Sequence, residues 1–152
     1  MSYSAADIKT LREETGAGVL DCKKALDEAN GDYDKAREIV KAKGLARAEK
    51  KSDRETGVGY IASYVHANNQ VAALVEVRCE TDFVARNPDF QAMGKDVAMQ
   101  VVAMNPANVE ELLAQETLRD AGQTIDQLVK SVSGKIGEKF EVKRFVRYQA
   151  GE

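Results

Sequence analysis

The spacing of apolar residues changes its period after residue 56, and this change constrains the fold more than any other feature. Between residues 4 and 44, apolar positions recur every three or four residues, as on the buried face of an amphipathic helix. Between residues 60 and 79 they fall at every second residue, as in a strand with one buried face. Helical periods followed by strand periods predict an α+β fold.

Three short helices are predicted in residues 4–44. The first begins with a capping-box pattern at Ser4, and Gly16 supplies the left-handed residue that closes it. Asp32 caps the third helix, and we expect Gly44 to close it. Three amphipathic helices joined by tight glycine turns predict a compact bundle.

A polar, basic stretch follows at residues 45–56. Its paired lysines, Lys50 and Lys51, are interleaved with acidic residues, which is more typical of a solvated helix face than of an RNA contact. We interpret the stretch as a helical extension or a linker. The predicted domains are therefore a three-helix module with its basic linker at 1–55 and an α+β core at 56–152.

The core begins with a predicted β-hairpin. Two alternating runs cover residues 60–66 and 71–79, and Asn68-Asn69 lies between them. Asparagine tolerates the positive φ that a hairpin turn requires. Asn87-Pro88-Asp89 then has the cap, first-turn proline and acidic residue of a helix start.

The rest of the core is predicted from two further segments. Residues 107–138 have the pattern of helix again, and residues 140–148 alternate like a strand with long basic side chains on one face. The prediction is a small core with roughly three antiparallel strands. A sheet this small leaves edges that invite pairing with another chain.

The segment Thr81–Asn87 joins the hairpin to the capped helix and carries an aromatic residue at a turn. Two interpretations are open. In one, Phe83 folds inward and Asp82 caps a helical turn. In the other, the segment protrudes as a wedge, with an aromatic ring for a partner's pocket beside a carboxylate that accepts hydrogen bonds.

The sequence contains only weak candidates for a catalytic site or a phosphate-binding loop. Cys79 and His66 are candidate neighbours across the hairpin, but no third group or oxyanion loop accompanies them, which favours a buried structural cysteine. Two cysteines and one histidine, widely spaced, do not form a recognisable zinc site. Gly16-Ala17-Gly18 and Ser133-Gly134-Lys135 depart from the P-loop pattern, and we interpret both as helix-closing turns.

The composition limits the binding partners and the cellular compartment that we expect for this chain. The net charge of −3 gives no indication of a polyanion partner, so we expect no direct nucleic-acid binding. No apolar run reaches the ~18 residues of a membrane helix. Without an apolar leader, a secreted disulfide fold is not expected, and the default compartment is the cytoplasm.

Two long stretches closely resemble the signatures of the elongation factor Ts family. They read LREETGAGVLDCKKAL at residues 11–26 and EVRCETDFVARN at residues 76–87. The segments at 29–32 and 135–148 are also similar to this family, and all four occur in the family's order. The resemblance therefore covers nearly the whole chain.

The resemblance implies a non-enzymatic guanine nucleotide exchange factor of translation elongation, with no cofactor and no metal of its own. Its partner would be elongation factor Tu, in the GDP-bound and nucleotide-free forms. The bundle would be similar to ubiquitin-associated domains and would bind the nucleotide-binding domain of that GTPase. The exchange turn, Thr81–Val84, would push between helices near the partner's Mg²⁺ site and promote GDP release.

The resemblance also implies individual contact residues. In the exchange turn these are Thr81, Asp82, Phe83 and Val84, with Phe83 as the wedge. In the N-terminal module the matching positions are Arg12, Val19, Leu20 and Lys23, although the two apolar residues, Val19 and Leu20, could also be core.

The chain departs from longer members of the family, which carry a second core subdomain and a helical insertion. Only about 35 residues separate Met104 from the last predicted strand. This shortening and the exposed sheet edge suggest a homodimer joined through the core sheet. Two other functions stay open: a binding module that uses Gly16–Leu20 without affecting nucleotide, and a cysteine enzyme that uses Cys79 and His66.

Overall fold

The computed structural model describes residues 2–152, and the predicted α+β fold is confirmed. The elements in chain order are α1 (Ala5–Thr15), α2 (Val19–Glu28), α3 (Tyr33–Glu49), β1 (Val58–Val65), β2 (Val71–Cys79), α4 (Asp82–Ala85), α5 (Pro88–Met104), α6 (Val109–Ala114), α7 (Ile125–Ile136) and β3 (Glu141–Gln149).

Helix α1 begins and ends where local signals predict, and the caps at Ser4 and Asp32 are confirmed. Ser4 Oγ accepts a hydrogen bond from Asp7 N at 3.2 Å, and the Asp7 carboxylate accepts one from Ser4 N at 2.7 Å. Gly16 closes α1 with a φ of +67°, a conformation open to glycine at little cost. The bundle encloses its own apolar cluster, whose buried members are Leu11, Cys22, Ala25, Leu26, Ala29, Ala36 and Val40.

Helix α3 does not end at Gly44, so that prediction is wrong. The helix continues to Glu49, and the first part of the basic stretch is therefore a helical extension. Gly44 lies where α3 packs on α7, with its backbone against Gly134. Beside this crossing Lys130 Nζ pairs with Glu49 and, at 3.1 Å, with Asp126, and hydrogen bonds to these two carboxylates raise the pKa of Lys130.

The three strands form one antiparallel sheet in the order β1-β2-β3. The predicted hairpin is confirmed, and Asn69 adopts a φ of +57° in its turn. Helix α5 covers one face of the sheet, and the other face is open to solvent. A second apolar cluster fills the space between sheet and helices; its largest buried members are Val75, Val77, Cys79, Phe90, Met93, Val97, Val101, Leu112, Ile125 and Phe140. One cluster comes from residues before position 55 and the other from residues after it. Helix α3 nevertheless packs on α7, so the two parts are in contact. The division of the chain into two domains at residue 55 stays a prediction.

The basic side chains of β3 do not share one face, contrary to the prediction. Arg144 and Arg147 are three residues apart in a regularly paired part of β3, so strand alternation itself places them on opposite faces. Arg144 lies on the open face, where its Nε donates to Glu76 Oε1 at 2.8 Å. Arg147 lies on the helix side, and its Nε donates to Val102 O at 3.2 Å.

Residues 107–138 are not helical throughout, because a loop at 115–124 separates α6 from α7. A buried amide on α5 holds this loop. Gln100 is 1% exposed; its Nε2 donates to Glu116 O at 3.0 Å, and its Oε1 accepts from Leu118 N at 3.1 Å. The side chain thus satisfies loop backbone groups in place of helical hydrogen bonds.

Candidate functional site

The exchange turn forms the short helix α4 at the end of β2. Thr81 is its N-cap, and the Thr81 hydroxyl accepts a hydrogen bond from Val84 N at 3.4 Å. Val84 is 4% exposed and anchors the turn in the core, whereas Phe83 is 79% exposed. The inward-folding interpretation is therefore wrong on both points: Phe83 points outward, and Thr81, not Asp82, caps the helix.

The carboxylate of Glu138 accepts hydrogen bonds from the residues at the start of the exchange turn. Its Oε1 accepts from Glu80 N at 3.0 Å and from Thr81 N at 3.1 Å. Its Oε2 accepts from the Thr81 hydroxyl at 2.7 Å. In the reverse direction, Glu80 Oε2 accepts from Lys139 N at 2.6 Å. Sequence reasoning missed Glu138, because it lies 57 residues after Thr81 and no local pattern connects the two.

The other end of the turn is fixed by the start of α5. Asn87 Oδ1 accepts from Asp89 N at 2.8 Å and from Phe90 N at 3.3 Å, and Pro88 occupies the first turn, which confirms the predicted cap. Asn87 N donates to Val84 O at 2.9 Å. The turn therefore projects Phe83 from a frame that is hydrogen-bonded at both ends.

A second exposed apolar patch lies at the start of α2. Val19 is 52% exposed and Leu20 is 71% exposed, while the buried face of α2 carries Cys22, Ala25 and Leu26. Val19 and Leu20 are therefore not core residues.

The helices on either side of the Gly16–Gly18 loop each carry an exposed cationic side chain. Lys23 follows one turn after Val19 and Leu20, and Arg12 lies in the last turn of α1. Within residues 2–152 neither forms an ion pair. We call Arg12, Val19, Leu20 and Lys23 the N-terminal patch.

Lys135 connects the loop before this patch to the helix after the exchange turn. Its methylene chain lies against Gly16, so closely that a methyl group at Gly16 would lie 2.5 Å from Lys135 Cδ. Its Nζ pairs with Asp89 Oδ2 at 3.3 Å, in the first turn of α5. One side chain thus touches both regions that carry the candidate contact residues.

The proposed cysteine–histidine pair is absent, and the expectation that Cys79 and His66 are neighbours is wrong. Cys79 lies opposite Val58 at one end of the hairpin, whereas His66 N donates to Val71 O at the other end. Cys79 is fully buried, burial raises the pKa of its thiol, and its S–H donates to Thr81 O at 3.3 Å. A buried thiol with a raised pKa is a poor nucleophile.

Neither glycine motif lies between a strand and a helix, the arrangement that a P-loop requires. Gly16 closes α1 as expected, but Gly134 lies inside α7 and Gly137, with a φ of +98°, closes that helix, so the interpretation of Ser133-Gly134-Lys135 as a helix-closing turn is wrong. In the described part of the chain, no cluster of three or more His, Cys, Asp or Glu side chains is arranged to hold a metal ion. None of the helices described has the length and apolar character needed to cross a bilayer.

Comparison with known proteins gives a consistent family. A family model described as Elongation factor TS matches residues 80–152. The elongation factor Ts of Fervidobacterium nodosum is 41% identical over 197 aligned positions, which cover 100% of both chains. That of Thermosipho melanesiensis is 39% identical over 194 positions, covering 98% of this chain and 99% of its own.

A third relative, the elongation factor Ts of Trichlorobacter lovleyi, is 47% identical over 150 positions, which cover 99% of this chain and 48% of its own. The first two alignments are longer than the 152 residues of this chain, so those relatives carry segments that this chain lacks. With full-length coverage at this identity, the chain belongs to the elongation factor Ts family.

Proposed function

We propose that this chain is a guanine nucleotide exchange factor for elongation factor Tu and that it performs no covalent chemistry. The observation that carries the proposal is Phe83, a large apolar side chain 79% exposed on a turn whose backbone is fixed at both ends. An exposed aromatic on a rigid support has the properties of an interface anchor, because little conformational entropy is lost when it enters a partner's pocket.

Nucleotide exchange needs only differential binding. A factor that binds the nucleotide-free GTPase better than its GDP form weakens GDP binding by the same factor. Mg²⁺ neutralises phosphate charge in such GTPases, so a wedge that displaces the elements around Mg²⁺ lowers GDP affinity efficiently. In this proposal Phe83 is the wedge, Asp82 beside it accepts hydrogen bonds from the partner, and Thr81 and Val84 fix the turn.

The N-terminal patch supplies the second contact. Val19 and Leu20 offer exposed apolar surface, and the nearby charges of Arg12 and Lys23 favour an acidic rim on the partner's nucleotide-binding domain. Two contacts on one rigid chain act at high effective concentration, so neither has to be strong alone. Translation elongation takes place in the cytoplasm, which is the compartment proposed for this chain, without direct nucleic-acid or membrane contact.

Release of fluorescently labelled GDP from elongation factor Tu, followed by stopped flow, tests the proposal. The wild-type chain should accelerate release, and Phe83→Ala should lower the limiting rate at saturating factor while the fold is retained. Met104→Ala is the matched control, since Met104 is an exposed apolar residue, 50% accessible, at the opposite end of α5 from the exchange turn. If Phe83→Ala exchanges as fast as the parent, the wedge assignment fails.

A binding module without exchange activity is the competing function, and the exposure of Val19 and Leu20 favours it as a second candidate. In the same assay, tight binding to elongation factor Tu without faster GDP release would support it over exchange. A cysteine enzyme is disfavoured by the buried thiol, and Cys79→Ser should retain exchange. Loss of exchange in a folded Cys79→Ser protein would contradict this view.

We further propose that the chain forms a homodimer through its core sheet. The open face carries exposed apolar side chains on all three strands: Ile61 and Val65 on β1, Leu74 on β2, and Val146 and Tyr148 on β3. Leu74 pairs with Val146 and Ala72 with Tyr148 in the β2–β3 register, so these side chains form a continuous band. Bands of exposed apolar residues of this kind are typical of interfaces.

A second copy fits this band because the same apolar face on both subunits is self-complementary about a twofold axis. Light scattering at micromolar concentration should give a dimer mass, and Leu74→Asp should shift it to the monomer. A monomer mass for the wild-type chain, together with full exchange activity, would remove the dimer proposal without affecting the exchange proposal.

A further inference from the structure

We propose that Glu138 is a positioning residue for exchange, which holds the exchange turn in the conformation that presents Phe83. This inference rests on the proposed exchange function. The observation behind it is that one carboxylate accepts three hydrogen bonds at the root of the turn, from Glu80 N, Thr81 N and Thr81 Oγ1.

The carboxylate acts on the turn through the Thr81 hydroxyl. This hydroxyl donates to Glu138 Oε2 at 2.7 Å and accepts from Val84 N at 3.4 Å, which uses its single proton and one of its lone pairs. The donation orients the hydroxyl so that its lone pair faces the first turn of α4. Hydrogen bonds in such a chain polarise and strengthen each other.

The charge of Glu138 acts on the first residue of the exchange turn and on the residue before it. Within residues 2–152 the carboxylate forms no ion pair, so its described hydrogen-bond donors are the two backbone amides and the hydroxyl. Hydrogen bonds to an ionised acceptor are roughly twice as strong as neutral ones. A four-residue helix such as α4 is too short to be stable by itself, so it depends on contacts of this kind.

Glu138 is itself held by the end of α7. Gly137 turns the chain with a φ of +98°, Gly137 N donates to Ser133 O at 2.8 Å, and the Ser133 hydroxyl donates to Glu138 O. Lys139 N then donates to Glu80 Oε2 at 2.6 Å. The segments around Glu80 and Glu138 therefore hold each other reciprocally, and they fix the turn to the C-terminal end of α7.

Amide hydrogen exchange measured by NMR on the full chain tests the positioning directly. In Glu138→Ala the amides of Glu80 and Thr81 should exchange at least about tenfold faster, because their acceptor is gone, while the amide of buried Val97 keeps its rate. Glu141→Ala is the matched control, since this nearby carboxylate bonds the Thr56 hydroxyl and not the turn. Unchanged protection at Glu80 and Thr81 in Glu138→Ala would overturn the proposal.

The functional readout is a double-mutant cycle in the GDP-release assay. Glu138→Ala should lower the limiting release rate about tenfold, with little change in the half-saturating concentration, because the N-terminal patch still makes the first contact. In a Phe83→Ala background it should have no further effect. An equal loss in both backgrounds would mean that Glu138 supports the fold in general, and would overturn the positioning role.

Glu138→Gln separates charge from shape and serves if the alanine variant does not fold. The amide oxygen can still accept from both backbone N–H groups, but the amide nitrogen cannot accept from the Thr81 hydroxyl. Amide hydrogen-exchange rates and a GDP-release rate between those of wild type and Glu138→Ala support the proposal. Wild-type amide protection together with a wild-type GDP-release rate overturns the role of the Thr81 hydroxyl. If the wild-type chain does not accelerate GDP release at all, the exchange function fails, while the amide data still decide whether Glu138 holds the turn.

Discussion

The crossing of α3 and α7 is so close that a single methyl group should disrupt it. Gly134 of α7 faces the backbone of Gly44 in α3, and a methyl group at Gly134 would overlap the Gly44 carbonyl oxygen. It would also lie 2.9 Å from the Gly44 carbonyl carbon and 3.1 Å from its Cα. These atoms belong to helical backbone and cannot rotate away, so Gly134→Ala must push the two helices apart.

The expected effect follows from two opposing contributions. Overpacking a well-packed contact costs about 1–3 kcal/mol, and a backbone contact belongs at the upper end of that range. Replacing glycine by alanine inside a helix returns about 1 kcal/mol of helix propensity. We therefore expect Gly134→Ala to lower the free energy of unfolding by about 1–2 kcal/mol.

Gly44→Ala is the matched control at the same crossing. A methyl group at Gly44 meets nothing within 4 Å, although the backbone of the same residue forms the contact. Only the propensity contribution then applies, so Gly44→Ala should raise the free energy of unfolding by up to about 1 kcal/mol. The two substitutions are chemically identical and lie at one contact, yet they should have opposite signs.

Urea denaturation followed by circular dichroism measures both effects. The midpoint should fall for Gly134→Ala and rise for Gly44→Ala, and an altered slope would indicate that the N-terminal bundle unfolds separately. Gly134→Ala should also slow GDP release, because it moves the N-terminal patch relative to the exchange turn. A Gly134→Ala protein as stable as the parent, or more stable, would refute the close crossing.

Three further outcomes are expected. Leu20→Asp should raise the half-saturating concentration of the factor in the GDP-release assay and leave the limiting release rate unchanged. A lower limiting rate at an unchanged half-saturating concentration would contradict the view that the N-terminal patch provides binding and Phe83 provides GDP release. Gln100→Met should cost about 1–3 kcal/mol in urea denaturation, because it leaves loop backbone groups at residues 116 and 118 without their partner. Hydrogen bonds from Arg78 and Arg144 hold the pKa of Glu76 below its ordinary value of 4.5, so its contribution to stability is present above that pH and is lost as the pH falls through the folded-state pKa. Glu76→Gln should therefore flatten the acid side of the stability–pH curve, and an unchanged acid slope would exclude this origin.

Local signals predicted the elements that depend on neighbours in sequence. The cap at Ser4, the left-handed Gly16 and the Asn87-Pro88 start all form as expected, because each is decided within about one helical turn. The hairpin turn at Asn69 belongs to the same class. The sequence pattern leaves the exposure of Phe83 open, since a single apolar residue at a turn has no period that shows its direction.

Other features depend on contacts between distant segments, which local patterns do not show. Gly44 looks like a helix end in the sequence, and its contact with Gly134, 90 residues later, has no signal in the local pattern. Glu138 has no local signature for the same reason. The separation of Cys79 from His66 follows from the hairpin itself: when His66 is bonded to Val71 beside the turn, counting back along the antiparallel strands places Cys79 opposite Val58.

The rigidity of the exchange turn bears on how much exchange one side chain can produce. Burying an exposed Phe side chain yields about 1.5–3 kcal/mol. If the turn is ordered before binding, nearly all of this is available to favour the nucleotide-free partner, which corresponds to about ten- to hundredfold weaker GDP binding. Were the turn disordered in the free chain, ordering its four residues would cost about 1–2 kcal/mol each and would cancel that gain. On the proposed mechanism the hydrogen bonds to Glu138 are therefore as necessary to the wedge as Phe83 itself.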